Sequence, residues 1–232
     1  MNYPFEGDYI DIHVHGGKTK PGVFILETLM AHENRLPDNI PGIAYTFGIH
    51  PWYLTHENYS DHLRLVERIA AMTEIVAIGE AGFDKLHGPS MELQAEVFSE
   101  QVKISERINK PLIIHCVRAW DELLSAARTL KPKQPWMIHG FRGKIKLAEQ
   151  LLSKGFRISI WFEYALRPES TELLRNLPED SFFLETDGAD IRIESIYEKV
   201  ADDKGIDIEY LKTIMCSNYL KFFNLGSQRD SC

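Results

Sequence analysis

IVAIGEAGFDKLHGPSMELQAEVFSEQVKISERINKPLIIHC, residues 75–116, contains one complete structural unit. It opens on a short apolar run, Ile75 to Ile78. Leu93, Val97, Ile104 and Ile108 then recur at +4, +7 and +4, the stripe of an amphipathic helix. A second apolar run begins at Pro111. A strand, a helix and a strand in this order predict a parallel β/α unit.

The same alternation extends in both directions. Strand candidates begin at Tyr9, Val23, Ile43, Ile75, Pro111, Trp136, Arg157 and Phe182. Ile145, Ala148, Leu151 and Leu152 form another helical stripe, with Gly155 where a helix would stop. Eight such strands alternating with helices can close as a TIM-type (β/α)8 barrel. The α/β fold class and one barrel domain over residues 1–232 are therefore expected. Between Gly16 and Pro41 there is little room for a full helix plus a strand, so the first units are expected to be abbreviated. The piece VFILETLMAHE fits either a strand or a helix.

Composition narrows the class. The 232 residues are 44% hydrophobic and 26% charged, ordinary for a soluble globular protein. No apolar run approaches the roughly 20 residues that span a bilayer. MNYPFEGDYIDIH has no basic flank ahead of an apolar core, so no signal peptide is expected. The 3 cysteines have no paired spacing and read as reduced thiols of a cytoplasmic protein. A net charge of -8 does not suit a protein gripping many phosphates. Action on a phosphate ester would need local positive charge, which bound divalent metals supply.

The polar residues gather at strand ends. In YIDIHVHGG, Asp11, His13 and His15 share one strand face, while Ile10, Ile12 and Val14 take the other. Two imidazoles on one face fit a metal ion, and equally two polar residues at a strand mouth. Glu80, His115, His139 and Asp187 each end or follow a later strand candidate. All six lie on the C-terminal side, where barrel active sites are built. Four imidazoles and two carboxylates are an inventory suited to two divalent ions.

These pieces, taken together, resemble the TatD family of metal-dependent deoxyribonucleases, within the amidohydrolase-like barrels. The resemblance rests on YIDIHVH, FGIHPW, AIGEAGFD, the Gln94 to Gln101 helix, KPLIIHC, IHGFRG and LETDG. It implies metal contacts by His13, His15, Glu80, His115, His139 and Asp187. Glu80 would bridge two ions, and Asp187 would be both ligand and general base. The implied reaction is hydrolysis of a phosphodiester, at DNA ends or in a small substrate, with no membrane and no obligate protein partner. The resemblance implies magnesium; four imidazoles favour zinc or manganese.

The chain departs from the family pattern at Val117 with Arg118, at Gly140 and Arg142, and at Gly188-Ala189. These positions line the mouth and bear on substrate preference. His50 is read as a phosphate contact or a loop cap, and Arg142 and Lys85 as phosphate-binding candidates. Trp52 and Tyr53 would stack on a base or pack the loop. Glu185 would orient a ligand from behind or form a structural ion pair, and Cys116 is read as core. The rival readings are an amidohydrolase-type enzyme acting on a small ester, lactone or amide, and a non-catalytic metal-binding barrel. VAIGEAG has no lysine to carry the carboxylated bridge common in such amidohydrolases.

Overall fold

The computed structural model describes residues 3–225. One sheet contains β1 (Tyr9–Val14), β2 (Val23–Met30), β3 (Ile43–Gly48), β4 (Ile75–Asp84), β5 (Leu112–Val117), β6 (Trp136–Phe141), β7 (Arg157–Ile160) and β8 (Phe182–Leu184), in that order. The helices are α1 (Tyr59–Ile69), α2 (Met91–Ile108), α3 (Trp120–Leu130), α4 (Ile145–Leu152), α5 (Phe162–Ala165), α6 (Thr171–Asn176), α7 (Ile193–Lys204) and α8 (Ile208–Phe222). The strands pair in parallel, and β8 lies beside β1. This is the expected (β/α)8 barrel of the TIM type.

Seven of the predicted strand starts coincide with the observed ones, and the fifth strand starts at Leu112 instead of Pro111. Proline has no N–H to place in a ladder. Its carbonyl is still used, accepting from the Ile78 N–H at 2.9 Å. The first units are abbreviated as expected. No helix separates β1 from β2, and only a 3-10 turn, Ala31–Glu33, follows β2. All eight residues of β2 are buried, and so are all six of β3. A strand covered on both faces carries no alternation, which is why VFILETLMAHE could not be read by periodicity.

Contacts divide the chain into two compact units. One takes in residues 1–27, 40–44 and 139–232, as far as they are described, and the other residues 28–39 and 45–138. In the first unit α7 is locked to β1 by Tyr197, which is fully buried. Its hydroxyl accepts from the Ile10 N–H at 2.9 Å and donates to the Ile10 carbonyl at 3.1 Å. Tyr197→Phe leaves that buried N–H without a partner and is expected to cost about 1–3 kcal/mol. Urea unfolding checks this; an unchanged midpoint would show that Ile10 finds another acceptor.

In the second unit α2 is held to the sheet by two buried glutamines. The Gln94 Oε1 accepts from the Asp84 N–H at 2.8 Å, while its Nε2 donates to the Asp84 carbonyl at 3.0 Å. Gln101 does the same with Ile49, at 2.7 and 3.2 Å. Phe98 of α2 packs on Phe83 and Trp136, with ring centroids at 4.8 and 5.3 Å.

Cys116 is a free, half-buried thiol, and burial pushes its pKa up to about 12. Among the described residues no helix is long and apolar enough to cross a membrane.

Candidate metal centre

Each unit has a group of potential ligands at the C-terminal ends of its strands. In the first unit His13, His15 and Asp187 offer ligand atoms within 4.8 Å of one another. The Asp187 Oδ1 lies 3.5 Å from His13 Nε2 and 3.6 Å from His15 Nε2. His13 is fully buried, and His15 and Asp187 are partly open.

The backbone builds this arrangement. Asp11 spends its carboxylate on Thr186, accepting from the backbone N–H at 2.9 Å and from the hydroxyl at 2.6 Å. This pins the segment after β8 to β1. Burial pushes the Asp11 pKa up to about 7, against the pull of the Thr186 donors. The Asp187 N–H then donates to the His13 carbonyl at 3.0 Å. Asp187 turns the chain in the left-handed region, at φ +53, and Gly188 follows at +74. A Cβ on Gly188 would sit 3.0 Å from the His15 carbonyl oxygen. Glycine at this departure from the family pattern thus lets the acid loop lie against the two histidines.

His139 belongs to the same unit, its ring stacked on His13 at 4.1 Å. Behind it is Glu185, fully buried, with Oε1 3.8 Å from His139 Nδ1. Glu185 also accepts from the Gly140 N–H at 2.7 Å and from the Ser159 hydroxyl. Burial works to raise its pKa, but His139, His13 and Ser159 outweigh that and hold the carboxyl low. Of the two readings of Glu185, this placement matches the one that orients a histidine from behind.

In the second unit His50, Glu80 and His115 form the other group. Glu80 Oε1 lies 2.8 Å from His115 Nδ1 and 3.2 Å from His50 Nε2. All three are buried. His50 caps the turn Pro51–Tyr53, its Nδ1 accepting from the Trp52 N–H at 3.1 Å. In neutral imidazole the proton therefore sits on Nε2, which makes His50 a donor toward Glu80. The loop-cap reading of His50 is thus realised beside the carboxylate.

Asp84 was not singled out from the sequence. It is buried, and its Oδ2 lies 2.9 Å from His115 Nε2. The Trp52 Nε1–H donates to the same oxygen at 2.6 Å, and Oδ1 accepts from the Leu86 and His87 N–H groups at 2.7 and 2.9 Å. Burial works to raise its pKa, but these bonds outweigh it and keep the carboxyl below its usual range. The signal was available: Glu80, Gly82 and Asp84 alternate along β4 and share a face, by the same rule that picked out His13 and His15.

His115 lies between two carboxylates, its Nε2 2.9 Å from Asp84 and its Nδ1 2.8 Å from Glu80, with the His50 Nε2 also 3.3 Å from that Nδ1. A neutral imidazole has one N–H to give, so serving both carboxylates calls for a cation or a second proton. Buried imidazoles beside carboxylates also suit divalent transition metals, and the donor set in both units fits such ions. Asp84→Asn is expected to weaken metal affinity about 10–100-fold by losing control of the His115 ring. Calorimetric titration measures this; unchanged affinity would reduce Asp84 to a structural role.

The proposed phosphate-binding cations belong to neither group. Lys85 is ion-paired with Glu122 at 2.8 Å, and Arg142 lies over the Trp161 ring at 4.5 Å.

A barrel with imidazoles and carboxylates gathered at its strand ends is a scaffold suited to metal-dependent hydrolysis. A family model described as TatD related DNase matches residues 25–224, and the chain belongs to that family. The match begins after β1, so it does not include His13 and His15. The metal-dependent hydrolase YjjV of Escherichia coli K12 is 30% identical over 165 residues, 67% of this chain and 62% of that protein. The 3'-5' ssDNA/RNA exonuclease TatD of Pantoea vagans is 32% identical over 162 residues, again 67% and 62% of the two chains. The chain thus matches these relatives over about three fifths of their length. The crystal structure of YjjV has the same fold, with a TM-score of 0.77 at 21% identity over 93% of this chain and 98% of that one.

Proposed function

We propose that the chain hydrolyses phosphodiester bonds at the ends of single-stranded DNA. His13, His15, Glu80, His115, His139 and Asp187 would hold two divalent ions. The observation that carries this reading is Asp187, a partly open carboxylate 3.5 and 3.6 Å from two imidazoles. When bound, divalent ions acidify water and offset the charge of a phosphodiester.

The chain's own residues supply the rest. Asp187 accepts the proton of the attacking water and orients it. Glu80, the other carboxylate that would hold metal, is steered by the His50 Nε2–H at 3.2 Å. Glu185 and Asp84 hold His139 and His115 in register from behind. The printed activity of the Pantoea relative supports nucleic acid as substrate. Lys85 and Arg142 stay in the proposal as secondary phosphate contacts that must leave Glu122 and Trp161 to act. Residues 1–232 would act as one catalytic domain, since the strand order runs unbroken from β1 to β8.

The test is trimming of an end-labelled single-stranded oligonucleotide with magnesium, manganese or zinc. Metal-dependent shortening is expected, with the most active ion identifying the working metal. A folded, metal-loaded protein that leaves DNA intact but cleaves a small ester or amide would replace this reading with the amidohydrolase one.

A further inference from the structure

Seven large hydrophobic side chains are exposed among the described residues, and Trp52, Tyr53 and Leu86 are three of them. Trp52 and Tyr53 lie in the turn after β3, and Leu86 lies just after β4. Both loops adjoin the group formed by His50, Glu80 and His115.

Trp52 is unusual among these. It is 46% exposed, yet it is held at two points, by its backbone N–H on His50 and by its indole N–H on Asp84. Its ring neighbours are His50, His87 and His115, at 5.0, 5.1 and 5.7 Å. All of them meet it at steep angles, between 65° and 82°. No described ring lies parallel to it. Tyr53, by contrast, already carries a parallel partner, His32, at 3.7 Å and 24°.

We propose that Trp52 is a stacking platform for a nucleobase of the single-stranded substrate. This rests on the nuclease reading and adds how that substrate is gripped. The chain has a net charge of -8, and Lys85 and Arg142 are already engaged. Neither of these two can track a phosphate backbone without first leaving its partner. Stacking needs no cation and accepts any base, because every base has a π-face. An indole already fixed by Asp84 and His50 loses little freedom when a base lands on it.

Two substitutions separate the platform from its anchor. Trp52→Phe keeps an aromatic face and loses the N–H for Asp84. Trp52→Gln keeps an N–H donor and loses the face. The probe is a short phosphorothioate-linked oligothymidylate bound to metal-loaded protein, compared with versions carrying an abasic residue at the 5′ or the 3′ end. Wild type and Trp52→Phe are expected to prefer the intact oligonucleotide over one of the abasic versions by about tenfold. Trp52→Gln is expected to bind all of them alike. A preference retained in Trp52→Gln, or absent from wild type, overturns the proposal. Unmodified versions of the same oligonucleotides separate the two levels. Hydrolysis without any base preference removes only the platform, whereas no hydrolysis of any of them removes the nuclease reading as well.

Discussion

Asp187→Ala is expected to slow DNA hydrolysis by about 10²–10⁴-fold or more. That range is the usual cost of losing a positioned base; the removal of a proposed ligand from the group of His13 and His15 adds to it. The carboxylate is placed by its own backbone, through the N–H bond to the His13 carbonyl at 3.0 Å and the left-handed turn at φ +53. Alanine can keep that bond, so the fold is expected to survive and the loss to appear in kcat. Single-turnover rates beside metal analysis of wild type, Asp187→Ala and Asp187→Asn separate the two roles. Asparagine retains an oxygen donor but accepts a proton poorly. A variant with bound metal and lost rate identifies the base, one that loses the metal identifies the ligand, and full activity in both ends the assignment.

Gly82→Ala is the second large effect, and it acts on the fold. Gly82 lies midway between Glu80 and Asp84 on β4 and adopts φ +150, where side chains are rarely tolerated. A Cβ there would lie 2.0 Å from the His115 carbonyl oxygen and 3.0 Å from its carbon. Both obstacles are backbone, so no rotamer relieves them. Overpacking and backbone strain together are expected to cost about 3 kcal/mol or more. The urea midpoint should fall accordingly, and whatever protein still folds should bind metal weakly, because β5 is pushed away at His115. A midpoint equal to wild type would show that the two strands separate more easily than this packing implies.

Strand positions were legible because each strand is a dense apolar run with punctuation at its ends. Pro111 misled by one residue, since its side chain reads as apolar while its missing N–H excludes it from the ladder. The six proposed ligands stand out in the sequence because each ends or follows an apolar run, although β4 runs on to Asp84 and so includes Glu80. Asp84 escaped because a single aspartate after Phe83 looks like a loop residue until its bond to His115 is seen. Lys85 and Arg142 were chosen on charge and position, and sequence does not disclose that Glu122 and Trp161 engage them.

The glutamines of α2 act as a ruler. Seven residues apart, Gln94 and Gln101 fall about two turns from each other on one face of the helix. Each reads the backbone of a different strand end, Asp84 for one and Ile49 for the other. Adding or removing one residue between them would swing one amide about 100° away from its strand. Apart from the buried Val97 and Phe98, the intervening residues are free to drift in identity but not in number. Evolution or engineering can therefore repaint the outer face of α2, while its length is set by the two loops that it keeps in step.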